Sequence, residues 1–164
     1  KDGNQMKPVA VHHHLILGLG KPPVWPVPKE QLQELWSALK MSKSKPDSAV
    51  FITDSPEDIE RKVIRAFCPE GEIKFNPILD WAKHLIWPIA GQLLVERDDK
   101  HGGDVNYESY DQLEKDFADK KLHPQDLKTA LSKSLVDILA PAREHFAAGK
   151  NKEILQEMKE LAKK

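Results

Sequence analysis

Three prolines constrain this chain more than any other feature. Pro56, Pro77 and Pro124 each open a stretch in which apolar residues recur at intervals of three and four. Proline suits the first position of a helix, where the amide it lacks would have no intrahelical partner. Ser55-Pro56-Glu57-Asp58 supplies an N-cap hydroxyl and an acid in the first turn, and Ile59, Val63, Ile64 and Phe67 form one stripe before Pro69 and Gly71 stop it. Asn76-Pro77 starts a second helix, with Leu79, Ala82, Leu85 and Ile86 inward and Pro88 as its end. Ser109-x-x-Gln112 reads as a capping box ahead of Leu113 and Phe117. Pro124 opens the longest helix, carried by Leu127, Leu131, Leu135, Ile138 and Leu139, and Pro141 is expected to kink or interrupt it. Ile154, Leu155, Met158 and Leu161 mark a final helix.

The first third has a different character. Lys7 to His12 is a short β-prone run. Leu15 to Gly20 then leads into prolines at 22, 23, 26 and 28. Leu32, Leu35, Trp36 and Leu39 have helical spacing, and Ala49 to Ile52 reads as a brief apolar strand. This portion is the edge of an α/β unit that cannot bury itself alone. Residues 91–107 read as extended or turn-like around His101-Gly102-Gly103-Asp104.

Composition narrows the function classes. A single cysteine among 164 residues rules out an intrachain disulfide and every cysteine-rich zinc site, which fits a reducing, cytoplasmic compartment. No apolar run nears the roughly 18 residues that cross a bilayer. A net charge of -1 argues against a general polyanion binder, yet residues 1–50 carry 7 basic and 4 acidic side chains, so any nucleic-acid contact is local. The chain begins at Lys1 rather than Met, amid a strand approach, and reads as a fragment.

Lys40-Met41-Ser42-Lys43-Ser44 is the most informative string. It matches the signature loop of class I aminoacyl-tRNA synthetases, where amino-acid activation expels pyrophosphate and negative charge grows on the leaving group. Two ammonium groups on a loop meet that charge as it develops, and lysine suits the task as a compact charge on a long stem. Serines can donate to phosphate oxygens, and Met41 can anchor the loop on apolar surface. A solvated lysine-serine linker is the plain alternative.

The order of further segments resembles the tyrosyl-tRNA synthetase family of archaeal and eukaryotic type. The resemblance runs from Lys7 to about Phe146, through Ile52-Thr53-Asp54-Ser55-Pro56-Glu57-Asp58-Ile59, Ala66-Phe67-Cys68-Pro69, Asn76-Pro77, His101-Gly102-Gly103-Asp104, Leu122-His123-Pro124-Gln125-Asp126-Leu127-Lys128 and Ile138 to Arg143. Tryptophanyl relatives share the loop, but His-Pro-x-Asp-Leu-Lys after a Gly-Gly-Asp turn looks like the tyrosine enzyme. The fold implied is mainly α: a helical anticodon-binding domain over 54–164, preceded over 1–53 by the last strand and KMSKS loop of a Rossmann-like α/β catalytic domain.

The resemblance also implies roles. Lys40 and Lys43 would hold the ATP phosphates, with Met41, Ser42 and Ser44 completing the ATP-binding loop. His101, His123 and Asp126 would bind the anticodon of tRNA(Tyr), Asp126 accepting from the two donors on the guanine Watson–Crick edge. Histidine at 101 replaces the larger aromatic ring usual in relatives, which weakens stacking. An Asp in a helix's first turn is otherwise an ordinary dipole partner. ATP with Mg²⁺ and tyrosine are the implied substrates, bound mostly by a missing N-terminal catalytic domain, and the intact enzyme would be a homodimer. A His-Ile-Gly-His-type motif and a tyrosine pocket are absent from these 164 residues, so the chain alone should not aminoacylate tRNA. A stand-alone tRNA-binding module without catalysis is the alternative.

Two decoys remain. His12-His13-His14 cannot aim three consecutive side chains at one ion from a strand and has no nearby carboxylate in sequence, so no metal site is read and the run is expected to border the active-site cleft. Gly18-Leu19-Gly20-Lys21 lacks the spacing of a phosphate loop.

Overall fold

The computed structural model describes residues 9–28, 30, 35, 38–42 and 44–161. Helix α1 (Pro56–Arg65) starts as its sequence dictates, with Ser55 Oγ accepting the Asp58 amide at 3.1 Å, and it buries Ile59 and Val63. Helix α2 (Pro77–Trp81) is capped by Asn76, whose side-chain oxygen accepts the amides of Ile78 and Leu79 at 3.0 and 3.4 Å. Pro88 does not end this helix. Ala82–Ile86 widens to a π winding, and α3 (Trp87–Ala90) takes up Pro88 in its first turn, where no amide is needed. The stop comes at Gly91, whose φ of 70° favours glycine.

Strands β1 (Leu93–Val95) and β2 (Val105–Tyr107) pair antiparallel, Leu93 opposite Tyr107 and Val95 opposite Val105. Leu93, Val95 and Tyr107 face the core, and Leu94 and Asn106 face out. Helix α4 (Tyr110–Ala118) follows Ser109, but that serine makes no side-chain cap, and Gln112 instead donates to Asp116 at 3.1 Å. The expected capping box is therefore not formed. Helix α5 (Pro124–Ala147) continues through Pro141 without interruption, and helix α6 (Gly149–Leu161) follows.

The protein is mostly helical. Helix α1 lies against α5, as does β1. Trp81, Phe117, Ile59, Leu93, Leu127 and Leu131 are fully buried in one core. No helix among the described residues is long and apolar enough to cross a membrane.

Ahead of α1 the two expected strands are not formed among the described residues. Val9 to His12 and Ala49 to Ile52 have no ladder partner there, and Val9 and Val11 are 91% and 85% exposed. The expected positions Lys7, Leu32 and Trp36 lie outside the described residues. What holds this portion is local pairing. Leu17 forms an antiparallel bridge with Lys40, and Leu17, Leu35 and Leu39 make a second small core with Val27 and Phe75 beside it. Asp54 is fixed by buried Lys62 at 2.6 Å and accepts the Phe51 amide at 2.9 Å, while the Lys62 ammonium sits 4.8 Å over the Phe51 ring.

Tyr107 is 3% exposed and donates to Asp116 at 3.3 Å. Burial, followed by the Asp116 charge, pushes its hydroxyl up to about 12. An unfolded tyrosine ionises near pH 10, so the raised folded value gives stability that is complete below about pH 10 and disappears as pH climbs toward 12. Tyr107→Phe should lose less stability than the wild type over that interval, measured as denaturant midpoints between pH 8 and about 11.5.

Candidate nucleotide loop and anticodon cleft

The first candidate site is built by backbone. The Leu17–Lys40 bridge positions Lys40, and the Gly18 amide donates to the Leu39 carbonyl at 2.6 Å. A Cβ on Gly18 would stand 3.1 Å from both the Leu39 and Lys40 oxygens, tight enough that a larger residue would require the backbone to give by a few tenths of an ångström. The following loop is closed by Ser48. Its Oγ accepts the Ser42 amide at 3.1 Å and donates to the Lys45 carbonyl at 2.7 Å, and the Lys45 amide donates to the Ser42 carbonyl at 3.1 Å. Ser42 and Ser44 share a hydroxyl contact at 2.9 Å. Met41 is 38% exposed. Lys43 lies outside the described residues.

Beneath the loop is a pocket of about 200 Å³ lined by Gly18, Gly20, Lys21, Lys40, Ser42, Lys45 and Ser48 among others. Three ammonium groups and two hydroxyls with no carboxylate make a donor set for an anion. It does not suit Mg²⁺, which takes oxygen ligands.

The second candidate site stands at the start of α5. His101, His123 and Asp126, picked out in the sequence, line one cleft of about 360 Å³ together with Arg97, Lys120 and Lys121. His123 caps α5, its Nδ1 accepting the Gln125 amide at 3.1 Å. Asp126 sits in the first turn, half-buried and without a hydrogen-bond or ion-pair partner among the described residues. His101 is exposed on the turn between β1 and β2. Gly102 (φ 94°) and Gly103 (φ 71°) there take left-handed conformations that a side chain would strain. Asp104 accepts the Arg97 amide at 2.8 Å and closes the turn.

Sequence reasoning missed Arg97. Its Nε donates to the Gly103 carbonyl at 3.0 Å and its guanidinium to the Lys121 carbonyl at 3.2 Å. One side chain thus pins the turn that carries His101 to the loop that leads into His123. The signal was weak, because a single arginine between a strand and a polar turn has no periodicity to mark it. Lys120 holds φ at 59°, unusual for a residue with a Cβ, on the same rim.

Residues 20–140 match the family described as tRNA synthetases class I (W and Y), and the chain belongs to that family. It is 52% identical over 161 residues to the tyrosine–tRNA ligase of Thermococcus kodakarensis, covering 97% of this chain and 42% of that one. The crystal structure of tyrosyl-tRNA synthetase complexed with L-tyrosine from Pyrococcus horikoshii superposes with a TM-score of 0.87 at 48% identity, over 98% of this chain and 43% of that one. The Leishmania major tyrosyl-tRNA synthetase in complex with fisetin gives 0.73 at 27% identity, over 99% and 26%. The chain therefore spans about two fifths of the archaeal relatives, aligned with their C-terminal part.

Replacing Arg97 with Ala should loosen the cleft without unfolding the body, since each lost bond is worth about 1 kcal/mol net at a part-exposed site. Amide exchange should quicken at Gly102, Gly103 and Leu122 while amides of α1 and mid-α5 keep their protection. Arg97→Lys should behave alike, because an ammonium cannot span both carbonyls.

Proposed function

We propose that this chain is the C-terminal part of a tyrosine–tRNA ligase, supplying the anticodon reader and the lysine loop of activation. The observation that carries the reading is the half-buried, unpartnered carboxylate of Asp126 in a cleft with His101 and His123 and a rim of three cations. A buried-edge carboxylate left without a partner is a cost to the folded chain unless something donates to it. The Watson–Crick edge of guanine presents two donors to one carboxylate. Adenine and uracil cannot satisfy both oxygens. His101 stacks on that base, and Arg97, Lys120 and Lys121 attract the flanking phosphates.

In this reading residues 54–164 are the anticodon-binding domain and 1–53 the edge of the Rossmann-like catalytic domain. Lys40, with Lys43, meets the ATP phosphates, stabilising the pyrophosphate that ATP releases as the tyrosine carboxylate attacks its α-phosphorus and tyrosyl-adenylate forms. Ser42 and Ser44 donate to phosphate oxygens. Magnesium travels with ATP and supplies further charge neutralisation, its ligands lying outside the anion-type pocket described here. Tyrosine is activated and passed to tRNA(Tyr) by the intact cytoplasmic homodimer, and the present chain by itself is inactive in aminoacylation.

The test is binding of the chain to a tyrosine anticodon stem-loop bearing guanine or adenine at the first anticodon position. Guanine should be preferred, and Asp126→Ala should cost about 1 to 3 kcal/mol toward guanine alone. Equal affinity for both loops in the wild type would remove base reading from this cleft. Lys120→Ala and Lys121→Ala should weaken both loops alike and flatten the salt dependence.

A further inference from the structure

We propose that His14, Asp80 and His84 form a binding site for a divalent d-block cation, with zinc as the reference ion, that clamps the segment before Leu17 onto helix α2 and its π-wound continuation. His14 lies 66 residues from Asp80 in sequence and meets Asp80 and His84 only in the fold. Asp80 is on α2, and His84 lies one turn on, in the π segment. His14 comes from the extended stretch, its Nε2 2.7 Å from Asp80 Oδ1, while His84 Nε2 is 3.9 Å from the same oxygen. The two imidazoles stack with centroids 3.8 Å apart and planes within 17°. One ligand atom from each residue lies within 4.8 Å of the other two.

The donor set is two imidazoles and one carboxylate. Imidazole nitrogen suits zinc, nickel, cobalt and copper, and one oxygen is too few for calcium or magnesium. Metal–ligand bonds of about 2.0 to 2.2 Å place donors roughly 3 to 3.5 Å apart around the ion. The three donors are thus within roughly an ångström or so of that spacing. Coordination requires the stacked rings to open until both nitrogens converge. His14 and His84 side chains are 34% and 32% exposed, so there is room to turn. The carboxylate needs no such movement. Its Oδ2 is held by the Leu17 amide at 2.9 Å, which aims Oδ1 at the histidines, the kind of outer-sphere contact that orients metal ligands. A cavity of about 180 Å³ lies against Asp80 and His84, with space for water in the open positions. Lys83, beside His84 in sequence, has its ammonium 4.9 Å over the Tyr110 ring.

The function of such a site is mechanical. An ion bound there joins residue 14 to α2 and reinforces the attachment of Leu17, from which the lysine loop is hung.

Zinc titration of the 164-residue chain, by calorimetry and by thermal melting, tests it, with Co²⁺ absorption as a second readout of nitrogen-oxygen ligation. One equivalent should bind and raise the melting temperature. His84→Ala should weaken binding by at least about tenfold, the scale on which even an outer-sphere partner is felt, and abolish the rise. The double variant His12→Ala/His13→Ala should keep both effects. Asp80→Asn also disturbs Leu17, so His84→Ala is the decisive variant. Zinc binding that survives His84→Ala but is lost in His12→Ala/His13→Ala would mean that the histidine run acts alone, and the proposal would be wrong. Absence of binding or of any thermal shift in the wild type overturns it equally.

Discussion

Residues Leu17, Gly18 and Leu19 are the point on which this structure hangs. Within three residues the backbone bonds to α2, to both ends of the lysine loop and to the chain just after α1. The Leu17 carbonyl accepts the Trp81 indole at 2.6 Å, and its amide donates to Asp80. Gly18 joins Leu39 beside Lys40. The Leu19 amide donates to the Ser48 carbonyl at 3.0 Å, and its carbonyl accepts the Phe67 amide at 2.8 Å. Leu19 itself is 1% exposed in the main core. An irregular segment is thereby given the hydrogen-bond satisfaction that a strand would obtain from a sheet. The lysine loop begins and ends on this tripeptide's partners, so its placement depends on α2 and on the end of α1 rather than on a ladder of its own.

Helix α5 organises the other half. Its first turn carries His123 and Asp126, its body packs against α1, and Lys128 donates to the Ile64 carbonyl at 3.1 Å near the α1 C-terminus, where a cation is favoured. From α1, buried Lys62 reaches Asp54, which holds the Phe51 amide. Cleft and loop are thus connected through packed helices and one buried ion pair. Such a path fixes relative position. Carrying a signal would require an element with two arrangements along it.

Local chemistry was legible wherever one residue decided the outcome. Ser55-Pro56, Asn76-Pro77 and Pro124 each start a helix as read, because capping is a property of adjacent residues. Pro88 misled because a proline ends a helix only if its missing amide is required, and the π winding over Ala82–Ile86 removed that requirement. Ala49 to Ile52 has the composition of a strand but no partner among the described residues, and pairing is not a local property. Ser109 has the letters of a capping box, while Gln112 bonds to Asp116 instead. The histidine run has no carboxylate near it in sequence, and three consecutive side chains on an extended segment cannot converge on one ion. Asp80 lies 66 residues along the chain and touches His14 only through tertiary folding.

The cleft's chemistry follows from one cap. Because His123 Nδ1 accepts the Gln125 amide, the proton of the neutral ring belongs on Nε2, and the ring is a donor on its other side. Asp126, ionised, can only accept. A base in the proposed position would therefore meet one donor and one two-oxygen acceptor. Guanine is the base whose Watson–Crick edge answers both, with its carbonyl accepting and its two N–H groups donating. Adenine reverses the exocyclic polarity, and in the same register it would set its amino group against the His123 proton and leave Asp126 facing the N1 lone pair with no donor. Discrimination in such a site comes less from what the correct base gains than from the buried groups the wrong base leaves unpaired. That term does not depend on ring area, and so in the proposed site the smaller ring at His101 would lower affinity for every base without erasing the preference for one.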